Sequence, residues 1–170
     1  MGRAVSDEYY DEVTKNDVPT GRKLTREQIH ASERPPHRCV AVFVFDGSGD
    51  LYVQVHKISG GLLDHTVGGH VDSGEDYKTA AYREMDEEIG LSGVELDELA
   101  VGYYSDEGSR VHVFGIYACV APESWSFEPN EEVAELKKMS ISTIQNMMDE
   151  SPELFTGGFI NTMKKYKEVR

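Results

Sequence analysis

Cysteine is nearly missing from this chain, and cationic side chains are scarce. Cys39 and Cys119 are the only thiols among 170 residues. Both lie in apolar surroundings without metal-ligand spacing, which argues against a disulfide framework and points to buried thiols in a reducing cytoplasm. Lysine and arginine total 17 against 31 aspartates and glutamates, a formal net charge of -14. A nucleic-acid backbone or an anionic membrane surface would be repelled over most of such a molecule, and an anionic small molecule would need a cation to mediate its binding. Long hydrophobic runs are absent too: nothing approaches the roughly 18 consecutive apolar residues of a spanning helix. The acidic opening MGRAVSDEYYDEV has no apolar leader core, so a cytoplasmic location is expected.

The length fits one domain, and a chain of this size buries about 70% of the surface that its unfolded form exposes. A loose tail at 1–7 is expected to precede a single domain over 8–170. Residues 8–34 read as a polar lead-in punctuated by Pro19 and Gly21. CVAVFVF, Cys39 to Phe45, and LYVQV, Leu51 to Val55, flank the turn residues DGSGD and predict a hairpin. A loop from Ile58 to Gly69 then leads to a helix started by Ser73 in a weak capping box with Asp76 and stopped by Gly90. Strands are expected at 94–104, 111–120 and 133–139, and a helix at 142–150. A last helix is capped at Ser151-Pro152 or starts only after Gly157-Gly158, because paired glycines cost about 1 kcal/mol each inside a helix. Apolar strand residues at a sheet edge would support a homodimer, and in sequence they look the same as core.

The chemistry concentrates in GGHVDSGEDYKTAAYREMDEEIGL, Gly68 to Leu91. At 100° per residue, Glu84, Glu87 and Glu88 project over a narrow sector beside an apolar stripe of Ala81, Met85 and Ile89. Like charges four residues apart cost a helix about 0.2–0.5 kcal/mol in water and more at a packing edge, so something positive belongs between them. Arg83 is expected to point to another sector and pair with Glu75. A metal ion is left, and carboxylates without cysteine select Mg²⁺ or Mn²⁺ over Zn²⁺. An isolated acidic run in so acidic a chain would be a solvated helix face; the glycines beside this one change the reading.

These residues resemble the Nudix box, G-x5-E-x7-R-E-U-x-E-E-x-G-U with U apolar. Gly69, Glu75, Arg83, Glu84, Met85, Glu87, Glu88, Gly90 and Leu91 fill every specified position. The resemblance implies an α/β/α sandwich around a mixed β-sheet and hydrolysis of a diphosphate linkage in a small molecule such as a nucleoside diphosphate derivative. It implies metal on Glu84, Glu87 and Glu88, with the Gly68 carbonyl as a further ligand. The base it implies is Glu84, or a distal-loop acid for which Glu131 and Glu132 stand ready. Arg83 and Glu75, with Gly69 and Gly90, form the structural part of the box.

His30 and His37, seven residues apart, and His70 inside the box resemble the isopentenyl diphosphate isomerase branch of the same superfamily. Yet the catalytic cysteine of that branch corresponds to Gly68, and its acidic ligands on a later strand correspond to Arg110 and His112. Isomerase chemistry is therefore disfavoured. The three histidines are either scaffold or a second metal site. A non-catalytic diphosphate sensor is the remaining alternative, against which an intact set of metal acids speaks. Trp125 is expected to cover a core edge rather than stack on a base. Tyr103, Tyr104, Arg110, His56 and Lys57 are open between pocket and surface.

Overall fold

A computed structural model describes residues 8–57, 60–108 and 110–170; the tail expected at 1–7 lies outside them. The run from His37 to Phe45 forms strand β3, and it organises everything else. Its residues alternate between two cores, as the two-residue period of a strand dictates. Val40, Val42 and Val44 enter one apolar cluster, with Ala81, Met85 and Ile89 of the box helix. Cys39, Ala41 and Phe43 enter the other, with Ile144, Phe159 and Met163 of two C-terminal helices. The sheet thus sits between helices on both faces, an α/β/α arrangement.

Among the described residues nine strands make up the sheet. β1 (Tyr9–Val13) and β2 (Pro19–Thr25) form an antiparallel hairpin followed by the single-turn helix α1 (Arg26–Ile29). This corrects the polar lead-in read from sequence. Among the described residues Tyr10, Leu24 and Ile29 form its small cluster, with Val13 also buried, too thin a pattern to mark two strands. After β3 come β4 (Leu51–His56), β5 (Leu62–Asp64) and β6 (Val67–His70). The expected loop over 58–69 therefore contains β5 and most of β6, both too short to show a period, and β6 half glycine. β7 (Asp97–Asp106) and β8 (Val111–Val120) are antiparallel, and β8 runs parallel to β3 over its whole length, from His37 opposite His112 to Phe45 opposite Val120. β6 lies antiparallel on part of β3, with Cys39 opposite His70 and Ala41 opposite Gly68. β9 (Leu136–Met139) pairs with β4. The sheet is mixed.

Helix α2 (Tyr77–Ile89) is capped by Asp76, whose side chain accepts the Thr79 N–H, and stopped by Gly90 at φ 61°. Ser73 is not the cap. Its hydroxyl donates to Asp11 and its N–H to the Tyr9 carbonyl, so the N-terminal hairpin holds the loop entering α2. Helix α3 spans Ile141–Glu150 and α4 Gly157–Val169. Pro152 begins only a 3₁₀ turn, Pro152–Leu154, and Thr156 caps α4. Gly157 and Gly158 occupy the first turn of α4 because the Glu107 side chain lies against them: a Cβ at either glycine would come within 3.1–3.3 Å of its carboxyl oxygen. A carboxylate at a helix N-terminus opposes the positive end of the helix dipole, which offsets the glycine cost. Among the described residues no helix is long and apolar enough to cross a membrane.

Candidate active site

α2 lays its apolar stripe on the sheet and leaves its acids at the rim, where β6 and the loop before β9 meet it. The site is built around Glu84. Its carboxyl group lies on Gly69, where an added Cβ would come within 2.2 Å of the carboxyl carbon, so only glycine fits. Glu88 reaches deeper, accepting from Gln54 Nε2 at 3.2 Å and from the Gly68 N–H at 3.4 Å. Glu87 stands outermost, its side chain 51% exposed against 13% for Glu84.

Arg83 occupies the centre of the cluster rather than a separate sector. Nε and Nη2 grip the two oxygens of Glu75 at 2.9 Å each, and Nη2 also donates to the His70 carbonyl at 3.0 Å. Nη1 then reaches Glu84 at 2.9 Å and Glu87 at 3.4 Å. The correction has a simple cause: a guanidinium carries five donors in a fork, so one edge can hold Glu75 while the other serves the box acids. Glu75 in turn accepts the Asp72 N–H, tying the pair to the loop entering the helix.

One arginine does not balance these acids. Burial pushes the Glu84 carboxyl up to about 7 although Arg83 pulls it down, and the charges of Glu87 and Glu132 push the same way as burial. Burial, then the charge of Glu84, raises Glu88 well above the carboxylate range, against the pull of Gln54 and the Gly68 N–H. Of the three box acids, Glu87 alone faces solvent. The arrangement is a shielded, oxygen-only donor set with surplus negative charge, a fit for a hard divalent cation.

Glu131 and Glu132 lie on the loop before β9, and both are exposed. The loop is fastened to α2 by Asn130, whose Nδ2 donates to the Glu88 carbonyl at 2.8 Å and whose Oδ1 accepts the N–H groups of Glu132 and Val133. Lys57 donates to the carbonyls of Asn130 and Glu131, so it serves as a loop anchor. The charge of Glu132 acts on both Glu84 and Glu88. Sequence reasoning missed Gln54 and Asn130. A glutamine inside an otherwise apolar strand was the available signal for the first; the second carried none.

Trp125 packs edge-on against Tyr52 and donates to the Ile89 carbonyl at 3.3 Å, a lid on the core beside α2. Tyr103 donates to the Asn161 carbonyl of α4, Tyr104 is exposed, Arg110 is exposed at the start of β8, and His56 lies 3.9 Å from Asp64.

The histidines gather on the other face of the sheet. His70 lies between Tyr10, His30 and His37, with ring centroids 5.5, 5.4 and 5.1 Å away, and His37 also meets His112 at 5.4 Å. Burial holds His37 down to about 4 and His70 well below the usual imidazole range, so both rings are neutral near pH 7. His30, at the end of α1, is also lowered by burial, with Arg26 and Arg34 adding to it.

Residues 35–156 match the family model for the NUDIX domain. A Yersinia pestis protein described as an uncharacterised Nudix hydrolase is 36% identical over 130 residues, which cover 74% of this chain and 70% of that one. An isopentenyl-diphosphate Delta-isomerase from Pectobacterium atrosepticum is 30% identical over 154 residues, 86% of this chain and 84% of that one. Among solved structures, DR0079 from Deinococcus radiodurans superposes with a TM-score of 0.67 at 22% identity, covering 85% of this chain and 90% of the other.

Proposed function

The chain belongs to the Nudix hydrolase family, and from that premise we propose that it cleaves the diphosphate linkage of a nucleoside diphosphate derivative, using Mg²⁺ or Mn²⁺. Members of the family act on nucleoside diphosphate derivatives. One observation carries the finer reading: Glu84 and Glu88 are shielded neighbours, and among the described residues Arg83 is the cation paired with Glu84 while it also holds Glu75. Glu84, Glu87 and Glu88, with the Gly68 carbonyl, are the residues that would hold the ion. A divalent cation held there would supply neutralisation of the diphosphate charge and would lower the pKa of a water toward neutrality.

The chain's own groups do the rest. Arg83 and Gly69 fix Glu84 in one position, which favours it as the base that takes the proton of the attacking water. Glu132 ranks next, since its charge acts on the same site from a loop that Asn130 anchors, and Glu131 follows. Gln54 and the Gly68 N–H both donate to one carboxyl oxygen of Glu88 and fix that group beside Gly68. Glu75 keeps Arg83 engaged, so the guanidinium orients the acids. The two buried free thiols suit a reducing compartment, and we place the protein in the cytoplasm.

Isomerase chemistry is the second reading, raised by the Pectobacterium relative. Gly68 leaves no thiol at the position where that branch carries its catalytic cysteine, which counts against it. Incubation of the protein with Mg²⁺ and a panel of nucleoside diphosphate derivatives decides among the readings. Release of mononucleotide or phosphate is the expected result. Saturable binding without turnover would make the protein a sensor, and conversion of isopentenyl diphosphate to its isomer would restore the isomerase.

A further inference from the structure

We propose that His37, Cys39 and His112 form a second metal site, for a zinc-class transition ion, on the sheet face opposite α2. Cys39 has no part in the resemblance to the isomerase branch, His112 stands where that branch carries an acid, and their separation in sequence gives no metal-binding spacing. The strand register brings them together. His37 lies directly across from His112 in the parallel β3–β8 pair, and Cys39 is two residues further along β3, so all three side chains share one face. One donor atom from each lies within 4.8 Å of the others. Zinc bonds of about 2.0–2.3 Å place ligand atoms somewhat closer than this, within reach of small side-chain rotations.

The hydrogen bonds around the cluster prepare two nitrogens for an ion. His37 Nδ1 donates to the Pro35 carbonyl at 2.8 Å, which puts the proton on Nδ1 and the lone pair on Nε2. That Nε2 is fully buried and has no hydrogen-bond partner among the described residues. Such orphans are rare in folded proteins, and an absent ligand is one of their standard explanations. His112 Nδ1 donates to the Glu107 carboxylate at 2.7 Å, leaving Nε2 as the nitrogen for coordination. A carboxylate behind a ligating imidazole is the usual support of a metal-bound histidine. Glu107 is itself held by the space that Gly157 and Gly158 leave for it.

Two imidazoles and a sulfur make a borderline-soft donor set, matched to Zn²⁺ or Co²⁺ and mismatched to Mg²⁺. Binding replaces the S–H bond of Cys39 by a metal–sulfur bond and releases the proton to solvent. Three protein ligands would leave a four-coordinate ion one open position, and His70, opposite Cys39 in β6 with its ring tilted against that of His37 at 5.1 Å, is a neighbouring imidazole.

The test uses Co²⁺ as the probe, on full-length protein stripped with a chelator. One equivalent is expected to bind tightly, with the near-ultraviolet thiolate-to-cobalt charge-transfer band and the visible bands of a four-coordinate ion, and to be displaced by Zn²⁺ but not by excess Mg²⁺. Cys39→Ser should abolish the charge-transfer band. Glu107→Gln, which leaves every ligand in place, should weaken Co²⁺ binding by about 10–100-fold. A Glu84→Gln, Glu88→Gln double variant should keep the band, which separates this site from the box whether or not the protein hydrolyses anything. A wild-type protein that holds no stoichiometric Co²⁺, or a Cys39→Ser variant whose band persists, would overturn the proposal. Circular dichroism of each variant distinguishes lost binding from lost fold.

Discussion

The two faces of the sheet collect different kinds of chemistry. On the α2 face, acids from adjacent turns of one helix crowd around Arg83, and charge dominates. On the other face imidazoles and a thiol take the place of carboxylates: His37, His70, His112 and Cys39 come from three strands and face one another across backbone pairings. A helix gathers groups that are close in sequence, at spacings of three and four; a sheet gathers groups that are far apart in sequence. The first arrangement suits a hard ion and an exchanging substrate. The second suits a softer ion held by strand geometry.

Variants that touch one face should leave the other unchanged, and the comparison fails if they do not. The largest effect is expected for Glu88→Gln: turnover in Mg²⁺ should fall on the order of 100–1,000-fold. The metal-free thermal midpoint should rise most at alkaline pH, where the wild-type fold opposes ionisation of the buried Glu88 carboxyl beside Glu84. Initial rates and melting curves check both halves, and wild-type rates would contradict the assignment of the acid. Gly69→Ala should follow closely. Its new Cβ displaces the Glu84 carboxyl, and a shift of about 1 Å in a reacting group can cost roughly 100-fold in rate. Its cobalt spectrum should match wild type, since residue 69 faces α2.

Glu75→Ala acts on stability first. It strips Arg83 of a two-pronged partner that is mostly shielded from water, and should lower unfolding free energy by about 2 kcal/mol in urea titration. The smallest effect should come from Trp125→Phe. Losing the bond to the Ile89 carbonyl should cost about 1 kcal/mol, and the order of preference among nucleotide bases should not change. A changed preference would make the tryptophan part of a binding pocket.

The contrast between the faces also explains what could be read from sequence. The box lies in one contiguous stretch with helical period, so Glu84, Glu87, Glu88 and the glycines around them are visible from residue spacing alone. The apolar run of β3 and its turn are equally legible. The N-terminal hairpin is hidden because three buried residues among polar neighbours make no period. The extra reach of Arg83 is hidden because side-chain direction at Cβ does not bound where a long flexible cation ends. Gln54, Asn130 and the alignment of Cys39 with His112 depend on strand register and loop anchoring, which emerge only when distant segments pair.

The alternation along β3 has a genetic corollary. Insertion or deletion of one codon within His37 to Phe45 would turn every later side chain through half a revolution. Valines would then confront the imidazoles while a thiol and a phenylalanine entered the layer beneath α2. A single frame-preserving indel could therefore damage both chemistries at once, whereas point substitutions would remove them separately.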